Sequence, residues 1–458
     1  SLPKMYVGLG TSVRMQSGGA VGPISWSASG LPAGLSIDPA TGDLAGIPQA
    51  AGTFPVSVTV TDLGDNNKTQ TKDYTLSIVP PAPAEGFAAG NNSTTTPSMS
   101  DDGRYLAFSS TASDLVPGDT NDSADVFVWD RTTATITRIT NGNADSVLPS
   151  ISGDGQFVTF ASAASDLAAG DTNGQVDVFL WYRSGALTTQ VTSGDSASYP
   201  AGISNDGQYV ALNSAASNLV PSDTNSQTDV FLYDRLTDTI RITNGDQTGD
   251  PDGSWATAIS GNGRFIVFSS AASNLVPGDT NDQTDVFTWD RTTSATTRIT
   301  DGNSLSDEAA ISDDGRYIAF ASAASNLVPG DTNDQPDLFT WDRVSNKIAR
   351  ITEGPPSWVG GTSGSWSPQV SGGGNYVTYS SPAQNLVPGD TGSEHDVFVW
   401  DRTTVATTRL TDGNNTSGLP AISSNGRYIA FASDATNIVT GDTNNAADVY
   451  TWDRDANG

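Results

Sequence analysis

One acidic tripeptide recurs along this chain at an almost constant interval. The first Asp of "DTN", or its equivalent, falls at Asp119, Asp171, Asp223, Asp279, Asp331, Asp390 and Asp442, with spacings of 52, 52, 56, 52, 59 and 52 residues. Seven near-equal periods in 458 residues mean that one structural unit is repeated. Repeat five can be read in full. "AAIS" (309–312) is a short strand and "DDG" (313–315) a tight turn, with Gly315 able to take positive φ. "RYIAFAS" (316–322) alternates as a second strand, and "AASNLVPGDTNDQP" (323–336) is a long loop. "DLFTWDR" (337–343) is a third strand, "VSN" (344–346) a turn and "KIARIT" (347–352) a fourth strand. Four antiparallel strands per period with no helix is one blade of a propeller, and seven blades close a ring. The fold class of this part is therefore all-β, a seven-bladed β-propeller.

The turns "DDGRYLAF", "DDGRYIAF" and "SNGRYIAF", followed by "DVFVWDR" and "TRIT", resemble the WD40-like (PD40) repeats of TolB-type β-propellers. The resemblance covers residues 86–458. It implies the fold and leaves the function open, because propellers serve many roles. Two repeats depart from the pattern: "WYR" (181–183) stands for "WDR", and "GGG" (372–374) for "DDG". Repeat seven ends three strands in, at "DVYTWDRDANG". Upstream of repeat one, "GFAAGNNSTTTP" (86–97) aligns with "RITNGNADSVLP" (138–149), placing Phe87 where Ile139 lies. Residues near 83–90 are thus expected to supply the missing outer strand within the chain. The alternative is closure by a neighbouring subunit, which would polymerise the protein.

Residues 1–80 differ. "SGLPAGLSIDPATGDLAGIPQAAGTFPVSVTVTD" (29–62) resembles the immunoglobulin-like domains common in bacterial surface proteins, which implies an N-terminal immunoglobulin-like β-sandwich and an all-β chain throughout. "FPVSVTVTD" and "YTLSIV" alternate as its late strands. Residues 81–85 lie in a Pro-rich, semi-rigid linker, "VPPAPAE".

Composition narrows the function. A net charge of -30 with only four lysines repels nucleic-acid phosphates and anionic membranes. The chain has no cysteine, hence no disulfide, thiolate chemistry or c-type haem. No apolar run is long enough to span a bilayer, and no phosphate-binding G-x-x-x-x-G-K-[ST] loop occurs, so no nucleotide is expected. A start at Ser1 without Met fits a processed, secreted or cell-surface protein.

The repeated acidic loops are the candidate metal sites. Their residues are Asp119, Asn121, Asp122 and Asp125; Asp171, Asn173 and Asp177; Asp223, Asn225 and Asp229; Asp279, Asn281, Asp282 and Asp285; Asp331, Asn333, Asp334 and Asp337; Asp390 and Asp396; Asp442, Asn444 and Asp448. Clustered carboxylate and amide oxygens suit Ca²⁺. The run resembles the opening of an EF-hand loop but is not one: Thr284 stands where Gly is required, and Asp290 is about 16 Å of extended chain beyond Asp285. A metal-free reading is equally open, because Asp and Asn hold loops by bonding their own backbone. The loops of repeats two (Gly174) and six (Gly392, Glu394, His395) depart most from the pattern.

In "WDR", the Trp is expected to pack between blades, with Trp181 and Tyr233 filling the same slot. The Asp is expected to cap the next turn, and the Arg to pair with a carboxylate. Catalysis is poorly supported: His395 is the lone histidine, no G-x-S-x-G elbow occurs, and carboxylates are too many for any pair to stand out. Two longer inter-blade segments, 244–255 and 353–366, carry Trp255, Trp358 and Trp366, candidate partner-binding aromatics on loops. The expected function is non-enzymatic: protein–protein contact by adhesion or self-assembly into a layer or filament, with the sandwich as spacer or as docking partner for the next subunit. The alternative is glycan binding or processing on the Trp-bearing face.

Overall fold

A computed structural model of the chain describes residues 2–455 other than 19, 21, 82–83, 87–89, 222, 224, 226, 238, 244–252, 334, 353–363 and 441. Phe87 therefore lies outside the described residues. Every regular element among those described is a strand.

From residue 94 onward the strands fall into seven blades: five are separate four-stranded sheets, the sixth is continued by strands of the sandwich, and the seventh contributes three strands and is completed by residues 85–86. Blade one comprises Thr94–Met99, Tyr105–Ser110, Asp125–Asp130 and Thr135–Arg138, joined antiparallel in that order. The second and third strands are buried almost throughout because sheets pack on both their faces. The outer strand alternates exposed and half-buried residues. Blades two to six repeat this order, with innermost strands Ser146–Ile151, Ser198–Ile203, Ser254–Ile259, Ser306–Ile311 and Trp366–Val370. Each innermost strand carries a register shift, and together they line a central cavity of about 520 Å³.

One end of the channel is ringed by backbone hydrogen bonds running from turn to turn around the axis. Asp101 N–H donates to Gly153 O, Asp154 to Asn205, Asn205 to Gly261, Asn262 to Asp313, Asp313 to Gly372, Gly372 to Ser424, and Ser424 back to Asp101, all at 2.8–3.1 Å. The "GGG" departure belongs here. A Cβ on Gly372 would fall on the Asp313 carboxylate and the Ser424 hydroxyl, which meet over it at 2.6 Å.

The sandwich holds β1 (Met5–Tyr6), β2 (Thr11–Arg14), β3 (Ile24–Ser29), β4 (Leu35–Ile37), β5 (Asp43–Gly46), β6 (Gly52–Asp62) and β7 (Lys68–Val79). One sheet runs β1-β7-β6-β3. The other is not confined to the sandwich: β4-β5-β2 continues into the outer strand of blade six, Ala406–Arg409, making one seven-stranded sheet. Ala406 joins the sandwich core of Met5, Val13, Trp26 and Leu76. Tyr6 packs edge-on against Trp452 at 5.1 Å, and its hydroxyl donates to Arg454 O at 2.7 Å. The sandwich is thus docked on its own propeller, which corrects the expectation of a spacer. After β7 the chain runs to β8 (Glu85–Gly86), which pairs antiparallel with the third strand of blade seven, Gly86 opposite Tyr450. Blade seven so gains its fourth strand from within the chain.

Candidate functional site

Each acidic loop packs at the top of its blade against the loop leading to the next. In blade four, Asn281 is fully engaged. Its Oδ1 accepts the Gln283 N–H at 3.1 Å, and its Nδ2 donates to Asp285 Oδ2 at 3.0 Å and Gly302 O at 2.9 Å. Asp285 begins the third strand and is completely buried. Its Oδ1 accepts from Thr300 Oγ1 at 2.7 Å, and Thr300 accepts in turn from Val286 N–H. The Arg298 guanidinium lies between Asp285 Oδ2 and Asp279 Oδ1, 3.3 Å from the latter, and also reaches Asp301 at 2.9 Å.

The same arginine recurs. Arg138 bridges Asp119 (2.6 Å) and Asp125 (3.4 Å), and Arg241 bridges Asp223 (3.0 Å) and Asp229 (3.5 Å). Arg350 bridges Asp331 (3.2 Å) and Asp337 (3.7 Å), and Arg409 bridges Asp390 (3.0 Å) and Asp396 (3.6 Å). Five of the sequence-selected carboxylate pairs are therefore brought together around a guanidinium. Asn225 and Asn333 are buried in the equivalent loops, and Asn121 donates to Gly142 O at 3.0 Å. Asp122 and Asp282 are exposed, in the left-handed region, and join no pair. Asp334 lies outside the described residues. Among the described residues, no group of three or more carboxylate, histidine or cysteine side chains converges as a metal site.

Blades two and seven lack the arginine. In blade two Gln190 takes its place, donating to Asp177 Oδ2 at 3.0 Å, joined by Asn173 Nδ2 at 2.8 Å. In blade seven Gly86 occupies the register position of Arg138. There a Tyr450 hydroxyl donates to Asp442 at 2.9 Å, and Asn444 Nδ2 to Asp448 at 3.1 Å. Burial pushes the Asp396 carboxyl up to about 7 against the pull of Thr411 and Arg409, and pushes Asp448 up to about 6. Burial also raises Asp125, Asp229, Asp279 and Asp390. The bridging arginines carried a signal that motif reading passed over. Each follows its third-strand Asp by 13 residues, or 12 in blade three, inside the "TRIT" run.

"WDR" is also resolved. The tryptophans pack between blades, as Trp129 does against Ala421, Ala430 and Val449. Asp130 accepts from Thr132 N–H at 2.9 Å and caps its turn. The partner of that Asp is the turn arginine: Arg104, Arg264, Arg316 and Arg427 hold Asp130, Asp290, Asp342 and Asp453. The arginine of "WDR" does something else, which corrects the carboxylate pairing expected for it. Arg131 lies over the Tyr428 ring at 3.7 Å and Arg183 over Tyr105 at 3.7 Å. Arg235, Arg291, Arg343, Arg402 and Arg454 lie over Phe157, Tyr209, Phe265, Tyr317 and Tyr376. Each ring belongs to the preceding blade. In the "WYR" blade, Gln156 replaces the turn arginine and Tyr182 stacks on Phe157 at 4.9 Å.

The aromatic candidates are also corrected. Trp255 and Trp366 sit not on loops but on the innermost strands of blades four and six, opposite Ser269 and Ser380. Trp255 remains 39% exposed, whereas Trp366 packs partly into the blade interface. Trp358 lies outside the described residues. His395 is half-buried, its pKa lowered by burial, and its carbonyl accepts from Ser417 N–H.

Residues 10–79 match the family model described as "Putative Ig domain" (He_PIG). No curated protein sequence matches the chain. Among solved structures, oligogalacturonate lyase from Vibrio parahaemolyticus is similar at 12% identity, covering 88% of this chain and 98% of that one, with TM-score 0.50. TolB from Acinetobacter baumannii is similar at 12% identity, covering 87% and 82%, with TM-score 0.41. Dipeptidyl peptidase 4 from Porphyromonas gingivalis is similar at 15% identity, covering 73% and 48%, with TM-score 0.41. The chain carries an immunoglobulin-like domain over residues 10–79, followed by a β-propeller fold. At such identities the likeness concerns fold alone.

Proposed function

We propose that this is a non-enzymatic, secreted or cell-surface protein whose work is protein–protein contact, by adhesion or by self-assembly. The observation that carries the reading is strand addition. β2 extends the sheet of blade six, so two modules of interaction type form one stiff body rather than beads on a string. Much of the acidic-loop charge is engaged on that body, since five carboxylate pairs hold arginines of their own blades. No helix among the described residues is long and apolar enough to cross a membrane. The test is sedimentation velocity and electron imaging of the native protein across a concentration series, together with binding to the surface of its own cells. Oligomers, filaments or saturable surface binding are expected. A monomer that binds no cell surface overturns the reading.

A second reading, glycan binding, is favoured by Trp255, an indole 39% exposed on a channel-lining strand. It requires that Trp255→Ala abolish retention on a polysaccharide the native protein binds, with an unchanged melting temperature.

A further inference from the structure

In five blades a guanidinium nitrogen sits between the two carboxylates of the acidic loop, 2.6–3.3 Å from the first and 2.5–3.7 Å from the second. That position is a place for positive charge built into the repeat. Blade two keeps both acids and loses the cation. Asp177 is completely buried and Asp171 is 6% exposed. Gln190 brings a neutral amide on a shorter side chain in place of the guanidinium.

The buried charges there are not equally provided for. Asp177 accepts from Thr192 at 2.9 Å, from Asn173 and from Gln190. Asp171 Oδ1 is shut off from water and has no hydrogen-bond partner of good geometry among the described residues; the Asn173 N–H and the neutral Gln190 amide act on this carboxyl, but no cation among the described residues does. An uncompensated buried carboxylate oxygen is costly. Blade seven, which also lacks the arginine, gives Asp442 the hydroxyl of Tyr450 instead. The residue equivalent to Tyr450 in blade two is Phe179, which has none.

We propose that blade two binds a calcium ion in the place its sister blades give to arginine, between Asp171 and Asp177. Two carboxylates match a divalent charge, and a turned Gln190 amide presents Oε1 as a third oxygen. The remaining ligands are waters, admitted on the side of the exposed Thr172 and Gly174.

The experiment titrates CaCl₂ into chelator-treated full-length protein by calorimetry and follows the melting temperature with CaCl₂, with MgCl₂ and with NaCl of equal ionic strength. The native protein is expected to show a saturable Ca²⁺ site and a raised melting temperature with Ca²⁺. Gln190→Arg restores the guanidinium, so it loses that site and melts at one temperature with or without Ca²⁺. Asp171→Asn, which keeps the shape and removes a ligand charge, also loses the site. Calcium binding that survives unchanged in both variants overturns the proposal. So does a native protein whose melting temperature ignores Ca²⁺, or one that responds equally to Mg²⁺.

Discussion

Each blade turn carries a glycine in the left-handed region, at φ between 65° and 72°, from Gly103 to Gly426. The reason is more than the turn. A Cβ on Gly315 would come within 2.1 Å of Phe265 Cδ2 in the preceding blade, and Arg343 covers the same ring at 4.1 Å. Turn glycine and "WDR" arginine thus grip one aromatic between them, in all seven repeats. Gly315→Ala adds both backbone strain and a clash, and is expected to cost about 2–4 kcal/mol in urea unfolding. Arg298→Ala leaves Asp279 and the completely buried Asp285 without their counter-charge. It is expected to cost about 3–5 kcal/mol, measured the same way. The glycine and arginine were legible in the sequence as repeated letters. Their aromatic partner was not, because it belongs to the neighbouring blade and only the curvature of the ring brings it near.

Among elements, β8 has the most consequence for its length. Two residues close blade seven, and the segment that carries them is tethered to β7 of the docked sandwich. Deleting residues 2–79 is expected to leave the ring closed but to expose the blade-six edge now covered by β2. Deleting residues 2–86 removes the closing strand as well and leaves the third strand of blade seven unpaired on one side. The longer deletion is expected to melt at a clearly lower temperature and to aggregate, as read by calorimetry and light scattering. Equal melting of the two truncations would show that β8 contributes nothing to closure. The aromatic candidates teach the same point at this scale. Trp255 and Trp366 looked like loop residues because the segments before them are long, whereas the strand resumes earlier than the irregular spacing suggested.

For the molecule as a whole, the backbone ring at one end of the axis gathers charges from distant blades. Asp101 is pushed up to about 6 by burial, then by the carboxylates of Asp313, Asp102 and Asp154, while the Asn205 amide holds it down. Its folded value thus exceeds that of an unfolded Asp, about 3.9. A group raised in this way favours the folded state most below the unfolded value, and that advantage is lost as pH rises to about 6. Acidification from pH 7 to 5 is therefore expected to strengthen the fold at this position by about 1 kcal/mol after solvent screening. Asp101→Asn keeps an acceptor for Asn205 and should remove this part of the pH dependence, measured as melting temperature against pH.

The sequence by itself determined the repeat, the all-β class and the kind of domain at each end, since alternation, turn glycines and a fixed period are local properties of the chain. The same letters marked the acidic loops but left open whether a metal or the loop's own bonds hold them. Only tertiary structure decided that an arginine from the fourth strand lies between the paired acids in five blades, and that blade two lacks one. It also decided that the sandwich adds its strand to blade six. Charge pairing and strand addition depend on which edges and oxygens meet in space. A linear pattern shows the groups but not their distances.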